Sequence, residues 1–361
     1  MRVFMTLVSL AVLPLNSLAH HGANSQFDIS TDLSLTGYVT KLRFVNPHSY
    51  VSFDKTDESG EYIFDDSGQR INVECEMLAG TALRRAGWTE EMFAPGTAIK
   101  VNGHPSRREE NVCVLESMAL NDGPEVTRFA QFEETRPEAD LDRDTRTAWG
   151  DPNIAGDWAA DARTERPSGE ATYPPVEPIR LTTVGQAAAD ELLIMITAGV
   201  KAGVAADPRL SCEPRDFISD WTFNWMPNLI VQEQDKIEIT YGFMDRRRTI
   251  HLDMDEHPAD LEPALSGHSI GRWEDDVLIV DTIGFTSDFR SVEDQVTQIS
   301  SDKYHVVERF SLDNENGTLV REYEATDPLY WTSDSSRIGT DVLSVSNLPW
   351  DTYNCNDLSV E

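Results

Sequence analysis

Residues 33–44, LSLTGYVTKLRF, decide how the first part of the chain folds. Leu33, Leu35 and Val39 fall on alternate positions of this run, which is the period of a strand with one buried face. Turn-forming residues follow the run, and a second apolar stretch begins after them. The run therefore predicts the first strand of a sheet whose type depends on what comes next.

Five later segments of the sequence, together with the first strand, give an order of strands and helix that is typical of one fold. Strand periodicity recurs at residues 48–53, 71–77, 98–102 and 112–120, and helix periodicity covers residues 78–93. Three strands, one helix and two strands are the order of the five-stranded OB-fold barrel. We therefore predict an OB-like domain over residues 20–120.

The second half of the chain predicts a larger barrel. Residues 121–152 are rich in Asp and Glu and poor in large apolar side chains, which predicts an acidic linker. Gly156-Asp157-Trp158 follows, and a Gly-x-Trp at the head of a β-rich domain occurs in lipocalin-like barrels. After a helix at 183–200, about seven or eight short antiparallel runs predict a lipocalin-like β-barrel over residues 153–361. The predicted fold class is mainly β.

The amino terminus has the pattern of a secretory signal peptide. Arg2 precedes an apolar run over residues 4–15, and Ser17 and Ala19 are the small residues of a cleavage site. The apolar run is shorter than the roughly 18 residues of a membrane helix, and no later run reaches that length. Residues 1–19 therefore predict export, to the periplasm or outside the cell, without membrane insertion.

The net charge of the chain limits the classes of partner that it can bind. The 361 residues carry a formal charge of −33, which would repel nucleic acid. The same acidity attracts cations, and an apolar content of 40% is enough for two packed cores. The expected partners are a metal ion or a small apolar molecule, and protein partners are unknown.

The four cysteines predict two disulfides in an exported chain. Four cysteines allow three pairings. The pairs Cys75–Cys113 and Cys212–Cys355 would each stay inside one predicted domain. We therefore prefer that pairing.

Three early histidines suggest a copper site. Cleavage after Ala19 would leave His20 as the first residue, whose amine and imidazole form a nitrogen chelate, with His21 next to it. His48 follows Asn46-Pro47 at a predicted turn. Copper(II) favours tetragonal nitrogen ligands, so His20, His21 and His48 are the predicted metal ligands. The alternative is that His48 only bonds a backbone carbonyl.

A second histidine group lies in the C-terminal half. His251, His257 and His268, with the carboxylate of Asp253, could act as general base and acid or bind a metal. An enzyme built on these four residues would carry out metal-assisted hydrolysis or proton-transfer isomerisation, and it requires the three histidines to converge. The alternative is histidines exposed to solvent at strand ends.

Residues 267–271, Gly-His-Ser-Ile-Gly, superficially match the Gly-x-Ser-x-Gly motif of serine hydrolases. That motif needs a strand, a sharp turn and a helix. The residues that follow predict a hairpin instead, which argues against a serine nucleophile.

Four tryptophans could line a ligand pocket at the mouth of the second barrel. They are Trp158, Trp221, Trp225 and Trp273. Aromatic walls are typical of pockets for small apolar molecules. The alternative is that they form a packed core.

The N-terminal half resembles a family of uncharacterised bacterial exported proteins. The likeness rests on His20-His21, the Leu-x-Gly-x-Val strand at 35–39 and the Asn-Pro-His at 46–48. The Gly-His-Ser-Ile-Gly-Arg-Trp-Glu phrase at 267–274 resembles a companion segment of similar proteins. The resemblance implies export and two units, and it implies no activity.

Three hypotheses remain open from the sequence. The first is an exported binding protein with a copper-type metal at its mature N-terminus and a small apolar ligand in the second barrel. The second is an enzyme with its histidine site in the second barrel. The third is a structural module of the cell envelope.

Overall fold

The computed structural model contains two closed β-barrels joined in sequence. It describes residues 26–121, 123–130, 132, 143–160, 179–202, 212, 217–223, 226–286, 288–291, 298–346, 350 and 352–355. None of the helices in these ranges is long and apolar enough to cross a membrane. The predicted mainly β fold is confirmed.

Five strands close the first barrel. They are β1 Leu33–Arg43, β2 Tyr50–Thr56, β3 Asn72–Glu76, β4 Ala98–Pro105 and β5 Val112–Leu120. Strand β1 pairs with both β2 and β4, and the parallel pair β3–β5 closes the ring. Helix α1, Gly80–Arg85, and a 3-10 turn, Glu90–Phe93, connect β3 to β4. This is the predicted OB-like order.

The residues on the inner face of β1 explain why the barrel closes tightly. Leu35 and Val39 are buried in the core, as their spacing predicts. Gly37 lies between them, and a Cβ there would approach the Asp54 carbonyl oxygen to 2.3 Å. Because only glycine permits that approach, β1 and β2 can curve around the core at this point.

The connection between β3 and β4 is less helical than residues 78–93 predict. Helix α1 ends at Arg85, and Gly87 adopts φ +80°, which reverses the chain. Trp88 then turns into the core and stacks on Phe93. The apolar spacing that predicts a longer helix instead reflects two short elements that bury side chains in the same core.

Nine strands of the described chain close the second barrel. They are β7 Gly156–Ala160, β8 Asn228–Gln232, β9 Lys236–Thr240, β10 Arg247–His251, β11 His268–Glu274, β12 Val277–Ile283, β15 His305–Asp313, β16 Thr318–Thr326 and β17 Arg337–Val345. All neighbours are antiparallel except β10 and β11, which are parallel. The predicted closed barrel is confirmed, with more strands than expected and with one parallel pair.

Five other elements lie outside the two rings. They are β6 Val126–Thr127, α2 Thr183–Ala202, α3 Phe217–Asp220 and the hairpin of β13 Asp288–Ser291 and β14 Gln298–Ser300. Strand β6 pairs with β5, and the Trp88 indole donates to the Ala130 carbonyl at 2.9 Å. The start of the predicted linker therefore packs on the first barrel.

Both preferred disulfides are present. Cys75 and Cys113 are directly paired across β3 and β5, so this bridge reinforces the closure of the first barrel. Cys212 bonds to Cys355 across a sequence separation of 143 residues. The pairing that keeps each bridge inside one predicted domain is therefore confirmed.

Residues 352–355 pack between the two barrels. The Asn46 side-chain amide donates to the Tyr353 carbonyl, and the Tyr353 amide donates to the Asp245 carboxylate at 2.8 Å. The buried Tyr353 ring packs with Ala82 of the first barrel and Phe243 of the second. The Cys212–Cys355 bridge holds the segment that makes these contacts.

Candidate functional site

Alternation along the strands places histidines and an aspartate on the outer wall of the second barrel. On β11, Ser269 is buried inside while His268 faces out. On β12, Thr282 is buried inside while Asp281 faces out. His305 begins β15 on the same outer side, next to the buried Val306. Three neighbouring strands thus carry titratable groups at one end of the wall.

The parallel pair β10–β11 brings a fourth group to this wall. A parallel pair needs a crossover connection, and here the crossover is the segment 252–267. Ala264 in that segment bridges to Phe285, and its amide donates to the Gly284 carbonyl at 3.0 Å. The crossover carries His257, whose side chain is only 12% exposed. His251, at the end of β10, completes the group.

We call these five residues the wall cluster: His251, His257, His268, Asp281 and His305. Asp281 is hydrogen-bonded to two histidines of the wall cluster. His257 Nε2 lies 2.9 Å from one carboxylate oxygen, and His305 Nε2 lies 2.8 Å from the other. Nδ1 of His257 lies 2.8 Å from Nδ1 of His268. The His251 ring stacks on His268 with centroids 5.1 Å apart and planes at 12°. One connected chain of hydrogen bonds therefore runs from His268 to His305.

The acceptor-only carboxylate determines which nitrogens of His257 and His268 carry protons. Ionised Asp281 can only accept, so His257 Nε2 carries a proton. The other nitrogen of a neutral His257 is then an acceptor, and His268 Nδ1 must donate to it. Neutral His268 consequently has its basic lone pair on Nε2.

The surroundings move the pKa values of the cluster in opposite directions. Burial, and to a smaller extent the neighbouring rings of His257 and His251, lowers the pKa of His268. The hydrogen bond to Asp281 raises the pKa of His305, although partial burial opposes it. Hydrogen bonds from His305 and His257 hold the pKa of Asp281 below its ordinary value. A neutral imidazole and a protonated one are therefore favoured in the same site.

The structure brings His251, His257 and His268 together, as the enzyme hypothesis requires. Asp253 lies outside the cluster: β10 ends at His251, and Asp253 is exposed in the following bend. Asp281 supplies the carboxylate instead. Asp281 and His305 did not figure among the predicted site residues, although an aspartate inside the apolar run Val277–Ile283 was a signal for the first of them.

The remaining predicted site residues lie elsewhere. His48 is in the first barrel, where its Nδ1 is 2.6 Å from a carboxylate oxygen of Glu76. His20, His21 and Trp225 lie outside the described residues. No group of three or more His, Cys, Asp or Glu side chains within the described ranges is arranged to hold a metal ion.

The tryptophans of the predicted ligand pocket are core residues where they are described. Trp158 and Trp221 are fully buried, and Trp273 packs against the same core. The Trp158 indole donates to the Ile154 carbonyl at 2.8 Å, and Trp221 packs edge-on against Tyr241 and Phe310. These contacts match the packed-core alternative.

Ion pairs fill part of the interior behind the wall cluster. Arg248 bonds the Ser269 hydroxyl, the Thr282 hydroxyl and the Glu308 carboxylate. Arg321 bonds the second oxygen of Glu308 and also pairs with Asp341. Ser269 of the Gly-x-Ser-x-Gly match is thus held inside the barrel, on the opposite face of β11 from His268.

Comparison with known proteins finds a family likeness for the N-terminal part of the chain. Residues 7–114 match the model of a family described as a family of unknown function, DUF6152. The match covers strands β1 to β4 and the start of β5, and it ends before the second barrel. No curated protein and no solved structure matches the chain.

Proposed function

We propose that the wall cluster is an acid–base site that moves protons on a small molecule bound against the outer wall of the second barrel. The observation that carries the proposal is the continuous hydrogen-bonded chain His268–His257–Asp281–His305. Groups whose surroundings push their pKa values apart are the usual mark of paired acid and base roles. The function is therefore that of a proton-transfer enzyme.

Each residue has a role in this scheme. His268 takes a substrate proton at Nε2 and passes its Nδ1 proton to His257. The resulting His257 imidazolium is stabilised by the Asp281 carboxylate, to which it already donates. His305, held in its protonated form beside the same carboxylate, returns a proton to the substrate. Exchange with solvent then removes the extra proton from His257 and reprotonates His305. His251 positions the His268 ring by stacking on it.

The charge around the site favours a neutral or cationic substrate. The crossover segment bears exposed carboxylates at Asp253, Asp255 and Glu256, and Glu324 faces His305 closely enough to help raise its pKa. These local carboxylates would repel an anionic substrate from the wall cluster.

Proton abstraction from 5-nitrobenzisoxazole tests the proposed base, because this probe opens its ring when a base removes one ring proton. We expect the wild-type chain to accelerate the reaction, and His268→Gln to lower the rate by about 100-fold, the contribution of one positioned base. His104→Gln is the matched control, since His104 is also bonded to a carboxylate, Glu116, but lies in the first barrel. Equal rates for wild type and His268→Gln would contradict the proposal.

We also propose copper binding at His48 as a second candidate function. The His48 Nδ1 bond to Glu76 leaves Nε2 to face a ligand, and a carboxylate behind an imidazole is the usual support of a metal-binding histidine. The other proposed ligands are His20 and His21. The six residue-to-residue steps from His20 to Gln26 can span at most about 20 Å.

Copper(II) EPR of the purified mature chain tests this second candidate. We expect a nitrogen-rich tetragonal signal that is lost in His48→Ala and weakened in Glu76→Gln. A spectrum unchanged in His48→Ala would reject the site. His104→Ala serves as the control and should leave the spectrum unchanged.

Export remains part of both proposals. The two disulfides support an oxidising compartment. The intact mass of the protein recovered from the periplasm or medium decides the cleavage point. A mature chain that begins at His20 supports the copper proposal, and a start two residues away removes the amine ligand.

A further inference from the structure

A cavity at one end of the first barrel has no place in the functions proposed above. It has a volume of about 430 Å³, within the range of about 300–1,000 Å³ typical of small-molecule sites. Its floor is apolar and its rim is formed by the loop between β4 and β5. The lining residues are Leu33, Leu35, Lys55, Val73 and residues 105–112.

The floor and the rim differ in chemistry. Leu35 and Val73 are buried at the floor and are continuous with the barrel core. The rim loop is organised by Ser106, whose hydroxyl accepts from the backbone amides of Arg108 and Glu109. An apolar ligand body would thus sit on the floor while a polar end meets the rim.

Lys55 is the cation placed deepest in the cavity lining. Its side chain is half-buried, whereas every residue from Arg107 to Asn111 is exposed. Among the described residues, no ion pair or side-chain hydrogen bond engages the Lys55 ammonium. In a chain with 63 acidic residues, a half-buried lysine left without a carboxylate partner is suited to an anion from outside.

We propose that this cavity binds an amphiphilic carboxylate, with its alkyl chain on Leu35 and Val73 and its head group on Lys55. The exposed Arg107 adds positive charge at the rim, although it also pairs with Asp28 at 3.3 Å. The carboxylates of Glu109 and Glu110 are exposed on the rim and are screened by solvent. The inference is independent of the wall cluster in the second barrel.

Calorimetric titration of the full chain with hexanoate, octanoate and 1-octanol tests the proposal. Octanoate should bind once per chain and about fourfold more tightly for each methylene it has beyond hexanoate, from the transfer free energy of a methylene. Lys55→Met should weaken octanoate binding at least about tenfold and leave 1-octanol binding unchanged. Lys55→Arg should restore octanoate binding.

Lys41→Met is the matched control, because Lys41 is an exposed lysine on β1 of the same barrel. It should bind octanoate like the wild type. Failure of octanoate to bind, or equal octanoate affinity in wild type and Lys55→Met, would overturn the proposal. Equal affinity of the wild type for 1-octanol and octanoate would also overturn it, because the cavity would then be a site for neutral apolar molecules.

Discussion

Nδ1 of His257 and Nδ1 of His268 lie 2.8 Å apart, with the two rings steeply inclined at 70°. At this distance one nitrogen must carry a proton and the other must accept it. The two imidazoles therefore share a single proton between them. Because Asp281 fixes the far side of His257, the shared proton lies on His268 in the resting state.

Replacing Asp281 with Asn should remove the negative charge that stabilises protonated His305. The pKa of His305 is raised in the folded protein. The stability from this pair is therefore full below the ordinary histidine pKa of about 6.5 and is lost as the pH rises through the raised value. Urea unfolding should show that Asp281→Asn costs about 1 kcal/mol more at pH ~6 than at pH ~9, a small difference because the pair is partly exposed.

Asp276→Asn is the control for that measurement. Asp276 is on the same wall of the barrel but in the turn after β11, where it pairs with the exposed Arg146 at 2.8 Å. Its loss should change stability by less than about 0.5 kcal/mol at either pH. If Asp281→Asn lowered the free energy of unfolding equally at the two pH values, the claim that His305 is protonated beside Asp281 would be refuted.

Glu308→Gln should destabilise the second barrel strongly. Glu308 is fully buried and bonds both Arg248 and Arg321, so its neutralisation leaves two buried cations with one carboxylate fewer. Removing one member of a buried ion pair typically costs about 3–5 kcal/mol. Arg309→Gln, the next residue on β15 but exposed, should cost less than about 0.5 kcal/mol in the same urea titration.

Loss of the Cys212–Cys355 bridge should release the segment packed between the barrels. The bridge closes a loop of 143 residues, for which the chain-entropy account gives up to about 5 kcal/mol. The double variant Cys212→Ser/Cys355→Ser should therefore unfold at lower urea, and the Tyr353 amide should exchange with deuterium much faster. Unchanged protection of Tyr353 would show that its bond to Asp245 suffices without the bridge.

Ser269→Ala should leave the wall cluster working. The Ser269 hydroxyl is inside the barrel, bonded to Arg248 and Thr282, and the side chain is 1% exposed. We expect Ser269→Ala to keep the wild-type rate with 5-nitrobenzisoxazole and to lose about 1 kcal/mol of stability from the broken hydrogen bonds. The wild-type chain should not be labelled by fluorophosphonates. Labelling of Ser269 would contradict its placement inside the barrel.

Much of the fold was predictable because strand alternation is a local signal. The alternation of Leu33, Leu35 and Val39 placed β1 and its buried face correctly, and the order of the later runs gave the OB-like ring. The parallel pairing of β10 with β11 was not predictable. It depends on how the 252–267 crossover packs on the wall, and no periodicity in that segment reports such packing.

The candidate site was predictable only in part for a similar reason. His251, His257 and His268 lie close together in sequence, so their grouping was visible. His305 is more than thirty residues beyond His268 and reaches the cluster only because β12 pairs with both β11 and β15. Asp253 was included because it would share a face with His251 if the strand continued, but β10 ends at His251.

The proton positions of the wall cluster test the central claim most directly. Nitrogen-15 NMR of the histidine rings across a pH titration reports both the tautomer and the pKa of each ring. The proposed hydrogen-bonded chain from His268 to His305 predicts that neutral His268 carries its proton on Nδ1 and has a pKa below about 6.5. It predicts that His305 titrates above that value. Finding the His268 proton on Nε2, or a pKa for His305 at or below that of His268, would contradict it.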